Sequence, residues 1–236
     1  MRVHPSWQEV IDNAFTALSP SYRTFLEEDE GYFPTKETFL SAFTTLSRKD
    51  TKAILFGQDP YPRAQSAIGY AFIDGAVTEL FSEEGFSKQV NRATSLRNFL
   101  KMQLIAEGYL TQEDVSQEAI AGVDKKGLIT SIMELKDNFE RNGILLLNTA
   151  LIFTCKDDSK KHVKAFTPFI KALMHALAGD HKELILFGTM AKSIEKLLPF
   201  GHNYSLIKTM HPYNIDFIND KEVQAYFGAM RLLQKR

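Results

Sequence analysis

Four side chains with complementary chemistry, Asp59, Asn148, Thr189 and His211, each stand just beyond a short apolar run. A carboxylate can orient a water molecule and stabilise a developing cation, and a histidine can donate to a developing anion. An asparagine presents a donor and an acceptor side by side, which matches a heterocycle edge carrying an adjacent carbonyl and N–H, as a pyrimidine does. Phe72, in Gly69-Tyr70-Ala71-Phe72, has the flat face to stack on such a ring. Together these groups suit hydrolysis of a bond whose leaving group carries negative charge. Each has a plainer reading: Asn148 ends its strand by bonding local backbone, His211 before Pro212 is a satisfied buried ring, Phe72 belongs to the core, and Gly188-Thr189 caps a helix instead of holding a phosphate.

The elements that must position these groups favour the chemical reading. Apolar runs at 53–56, 144–147, 184–187 and 204–210 read as strands, ending respectively at Gly57-Gln58-Asp59, Asn148-Thr149, Gly188-Thr189 and His211-Pro212. Helical patterns at 95–105, 167–177 and 190–198 alternate with them. The order predicts an α/β fold: one domain over 1–236, with a central, mainly parallel four-stranded sheet and helices on both faces. Such sheets carry their sites at the carboxyl ends of the strands, so Asp59, Asn148, Thr189 and His211 are expected on one edge. Gly57 permits a sharp turn, and Pro60 pushes Asp59 out of helical geometry. Further helical stripes are Trp7, Val10, Ile11 and Phe15, then Phe39, Leu40, Phe43 and Leu46 behind a helix start at Pro34-Thr35, and a run at 128–139 inside a polar excursion spanning about 105–142.

Composition narrows the class. A chain of 236 residues, 44% hydrophobic, suits one sizeable core, and a formal net charge of −1 means that any nucleic-acid contact is local. The single cysteine, Cys155, excludes an intrachain disulfide framework and any four-cysteine metal site. The N-terminus lacks an apolar signal core, and no run approaches the roughly 18 apolar residues of a bilayer span. A soluble, cytoplasmic protein without membrane contact is expected.

The residues also carry a resemblance. Gly57-Gln58-Asp59-Pro60-Tyr61, followed by Gly69-Tyr70-Ala71-Phe72, resembles the water-activating motif and stacking phenylalanine of family 1 uracil-DNA glycosylases. Leu145-Leu146-Leu147-Asn148 resembles that family's uracil-reading strand, Gly188-Thr189 its strand-glycine-helix element, and His211-Pro212 its catalytic histidine and intercalation loop. The resemblance implies hydrolysis of the bond between uracil and deoxyribose after the nucleotide flips out of single- or double-stranded DNA, the opening step of base excision repair. By this analogy Asp59 positions the water, neutral His211 donates to uracil O2, Asn148 reads the base edge, Tyr61 blocks the C5 position, Phe72 stacks and Gln58 adds a contact. Ser95, Thr189, Pro212, Tyr213 and Ile215 would meet DNA. No metal and no redox cofactor is implied, and a monomer is expected.

The departures from that pattern concern DNA opening. Pro62-Arg63 stands where the family has a histidine after the tyrosine, and Ser95 is kept in Arg92-Ala93-Thr94-Ser95 without the family's prolines. The Pro-Ser-Pro-Leu wedge is replaced by Pro212-Tyr213-Asn214-Ile215-Asp216-Phe217, in which Ile215, Tyr213 or Phe217 could fill the vacated stack. DNA-mimicking protein inhibitors, which grip that wedge, are therefore expected to bind more weakly. Three rival functions remain: a non-catalytic DNA-binding scaffold of the same fold, a small-molecule-binding α/β protein whose Gly188-Thr189 helix start holds a phosphate, and a glycosylase with another base preference.

Overall fold

The computed structural model describes residues 2–235. In chain order its elements are α1 (Gln8–Thr16), α2 (Pro20–Glu28), β1 (Ala53–Gly57), β2 (Phe81–Ser82), β3 (Gly85–Phe86), α3 (Lys88–Arg92), α4 (Thr94–Ala106), α5 (Gln117–Gly122), α6 (Ile132–Arg141), β4 (Ile144–Asn148), α7 (Ser159–Ala176), β5 (Glu183–Phe187), α8 (Met190–Glu195), β6 (Ser205–Thr209) and α9 (Lys221–Gly228). The contacts group them into two units: the described residues up to Asp74 with Gly143–Lys208, and Gly75–Asn142 with the residues from Thr209 onward.

The first unit is the α/β part. Its sheet has the order β4-β1-β5-β6, and β1 pairs in parallel with both β4 and β5. Residues 53–56 and 144–148 are all buried, as expected of parallel strands covered on both faces. The register sets Gly57 opposite Asn148, so two of the strand ends singled out above are immediate neighbours. Trp7 anchors the N-terminal helices: its ring meets Phe43 edge-on at 5.2 Å, and its indole N–H donates to the Leu46 carbonyl at 2.8 Å.

Two helix expectations are corrected. The stretch from 34 to 46 forms turns and a short 3₁₀ helix at Ser41–Phe43, not an α-helix. Thr38, Ser41 and Thr44 each turn a hydroxyl back onto the carbonyl three residues earlier, at 3.4, 2.6 and 2.7 Å, which favours tight i+3 geometry over the α ladder. Conversely, α7 begins eight residues before 167. Pro168 lies inside it, and Thr167 donates its hydroxyl to the Val163 carbonyl at 2.9 Å within the same turn.

The second unit is built around α4. Phe99 sits 5.1 Å from Phe227, 5.8 Å from Phe139 and 6.3 Å from Phe217 between ring centroids. The polar excursion supplies much of this core through the buried residues Ile120, Leu128, Ile132, Leu135 and Phe139. Asn138 of α6 donates to the carbonyls of Leu232 and Gln234 at 2.7 and 2.9 Å, tying the excursion to the C-terminal segment. The excursion is therefore structural framework, whatever else it does.

Candidate active site

At the carboxyl edge of the sheet, the β1 and β4 ends are locked together. Thr149 N–H donates to Gly57 O at 2.9 Å, and Gln58 O accepts from both Ala150 N–H and the Thr149 hydroxyl at 2.8 Å. Both lone pairs of the Gln58 carbonyl are thereby occupied, which leaves its N–H and its exposed side chain for any contact with a base. A Cβ on Gly57 would lie 2.2 Å from Asn148 Oδ1, so glycine is needed for the Asn148 amide to occupy the space beside β1. Asn148 is 7% exposed, and its polar edge is held by the sheet instead of a mobile loop.

The loop beyond β1 sets the other walls. Asp59 is half-buried, next to the buried Pro60. Ser159, the first residue of α7 and itself buried, donates its hydroxyl to Asp59 Oδ2. Tyr61 donates to the Phe72 carbonyl at 3.3 Å, and burial, with Asp74 adding to the effect, raises its phenol pKa so that it stays protonated. Phe72 has φ +67°, an uncommon conformation for a bulky side chain that costs on the order of 1–3 kcal/mol. Gly69, at φ +87°, starts this tight turn; a Cβ there would lie 2.2 Å from the Thr38 carbonyl. The Phe72 ring stands 6.1 Å from Phe187 at the end of β5, and Gly188 (φ +58°) then leads into the exposed Thr189. The first unit thus gathers Gln58, Asp59, Asn148 and Thr189 along the sheet edge, with Tyr61 and Phe72 linked to each other on the loop.

His211, Pro212, Tyr213, Ile215 and Ser95 belong to the second unit. Tyr213 N–H donates to His211 Nδ1 at 3.0 Å, so Nδ1 acts as acceptor and the neutral ring carries its proton on Nε2. Desolvation lowers the His211 pKa below the ordinary histidine value, which also favours the neutral form. The buried Asn98 of α4 donates to the Pro212 carbonyl at 2.8 Å and fixes the loop that follows the histidine. Tyr213 and Ile215 are 70% and 62% exposed, while Phe217 is fully buried against Phe99. Phe217 is thus removed from the candidates for a base-stack wedge, leaving Tyr213 and Ile215. Ser95 is half-buried in the first turn of α4. Ser159 and Asn98 were not singled out from the sequence, because each acts on a residue about a hundred positions away and has no local signature.

An α/β sheet in which one strand ends in a glycine paired with an asparagine, with an aspartate two residues beyond that glycine, defines a class of site whose members can be compared directly. No family model matches the sequence. The chain is 26% identical over 219 residues to the uracil-DNA glycosylase of Fusobacterium nucleatum, covering 89% of this chain and 82% of that protein. It is 24% identical over 225 residues to that of Borreliella burgdorferi, with 90% and 84% covered. The wild-type UNG crystal structure from Nitratifractor salsuginis is 47% identical, with a TM-score of 0.96 over 99% of this chain and 94% of that one. The mimivirus uracil-DNA glycosylase shares the fold at 16% identity and a TM-score of 0.55, over 89% of this chain and 69% of that one. The chain belongs to the uracil-DNA glycosylase family.

Proposed function

We propose that this protein is a family 1 uracil-DNA glycosylase that hydrolyses the N-glycosidic bond of a flipped-out deoxyuridine in DNA. The observation that carries the reading is the Gly57–Asn148 pair, an amide packed where no Cβ fits, two residues before a carboxylate held by Ser159.

In this reading Asp59 orients the water and stabilises the sugar as it becomes oxocarbenium-like. The bond from the sugar to the base breaks, the electron pair leaves with uracil, and water adds to the sugar carbon, shedding a proton that balances the charge on the departing uracil anion. Neutral His211 donates from Nε2 toward uracil O2 as negative charge grows there, a role supported by the acceptor position of Nδ1. Asn148 offers one acceptor and one donor to the uracil edge; cytosine reverses one of those pairs and is disfavoured. Tyr61, tethered to the Phe72 carbonyl, would exclude the C5 methyl of thymine, and Phe72 would stack on the base. Ser95, Thr189, Pro212, Tyr213 and Ile215 would contact the DNA, with Tyr213 or Ile215 filling the space the base leaves. The protein would act as a monomer in the cytoplasm, without a cofactor.

The test is incubation of the purified protein, with a chelator present, with oligonucleotides carrying uracil, thymine or cytosine at one position, followed by alkaline cleavage of abasic sites. Cleavage at uracil alone is expected. DNA binding without cleavage would favour a scaffold, and cleavage at another base would favour a different specificity.

A further inference from the structure

A groove of about 330 Å³ begins at Gln58, beside the catalytic loop, and runs between α7 and α8 within the first unit. Its polar lining consists of Gln58, Lys160 and Lys164 together with the hydroxyls of Thr149, Thr189 and Ser193, plus one further threonine; the rest is apolar, and no lining residue is acidic. In a chain whose formal net charge is −1, such a surface is a local concentration of positive charge and not part of a general basic coat. Lys160 and Lys164 sit one turn apart on one face of α7, about 6 Å along the axis, so each can meet a separate charge. Neighbouring Lys161 lies 3.8 Å from Asp158, whereas neither Lys160 nor Lys164 takes an ion pair among the described residues. Facing them, Thr189 and Ser193 are four positions apart, and both are exposed.

We propose that this groove is a phosphodiester subsite that carries the substrate strand beyond the flipped nucleotide, with Lys160 and Lys164 as its charge contacts. The inference rests on the glycosylase reading. An extended anionic chain fits better than a small anion, because the two lysines are spread along an open groove that starts next to the residue preceding Asp59.

The experiment measures binding of the full-length chain to uracil-free single-stranded oligonucleotides by fluorescence anisotropy across a salt series. Wild type, a Lys160→Ala/Lys164→Ala variant, the matching Lys→Arg pair and Lys161→Ala are compared. Loss of two phosphate contacts should lower the slope of log K against log salt by about 1.4 for a single strand. The Lys→Arg pair should keep the wild-type slope, and Lys161→Ala should stay near it. An alanine pair with an unchanged slope overturns the proposal. So does a slope change matched by Lys161→Ala, which would mark a diffuse charge effect. A site for free phosphate would show inorganic phosphate protecting the wild type from thermal unfolding more than the alanine pair, with equal DNA slopes, and that also overturns it. Uracil excision by the wild type is assayed in parallel. An inactive wild type with the expected slope difference would sink the catalytic reading alone; an active wild type without it would sink the groove alone.

Discussion

Ser159 donates its hydroxyl to Asp59 Oδ2 across 100 positions of sequence, fixing the carboxylate from the first turn of α7. A hydrogen bond to a charged group contributes about 1.5–3 kcal/mol. Ser159→Ala should therefore lower kcat about 10- to 100-fold with little change in KM, while Ser159→Thr retains much of the rate. Steady-state kinetics on a uracil oligonucleotide decide this; loss confined to KM, or no rescue by threonine, would count against a positioning role.

The Asn148 amide occupies the space that a side chain at position 57 would need. Gly57→Ala should force it out of register, costing about 1–3 kcal/mol of stability by overpacking. Uracil excision should fall far more than the thermal midpoint suggests, because the amide proposed to read the base moves. Thermal unfolding and single-turnover excision on the same preparation separate the two effects; a folded Gly57→Ala protein with wild-type activity would place Asn148 outside the base pocket.

His211 is expected to work as the neutral ring, and its pKa in the folded chain is lowered by desolvation. The sign follows: a depressed pKa keeps the ring neutral at neutral pH, and the proton is taken up only as pH falls below the ordinary histidine range. Protonation at Nδ1 also breaks the bond from Tyr213 N–H. An NMR titration should give a His211 midpoint below 6.5, the ordinary value, and a step in the excision rate at that pH should vanish in His211→Gln. A midpoint at or above the ordinary value would contradict a neutral donor.

DNA-mimicking protein inhibitors of the family are expected to grip the loop that follows His211. Here the loop after His211 has lost the Pro-Ser-Pro-Leu pattern, exposes Tyr213 and Ile215, and buries Phe217. Titration with such an inhibitor should give markedly weaker inhibition than for a glycosylase that keeps that pattern. Stoichiometric inhibition at equal concentrations would show that the altered loop still fits the inhibitor.

The strands were legible because four apolar runs each end in a polar pair, and the sheet order places β1 between β4 and β5. The placement of the expected site residues along the sheet edge was legible for the same reason: Asn148 ends β4, and Asp59 and Thr189 stand two residues beyond β1 and β5. Helix limits were less so. The helical pattern read at 167–177 is the later part of α7, which begins at Ser159 and continues through Pro168, and hydroxyls spaced three apart turned the 34–46 stretch away from an α-helix. The fate of Phe217 depended on packing against Phe99, and the Ser159 contact on a crossing of distant segments. Neither leaves a periodic trace in sequence.

The most direct test of the account compares wild type with Asp59→Asn for single-turnover excision and for affinity toward uracil-containing DNA. Losing a group that acts mainly in the transition state should cut the rate by about 10²–10⁴-fold with affinity largely kept. A parallel loss of binding, or a rate close to wild type, would contradict the role assigned to Asp59.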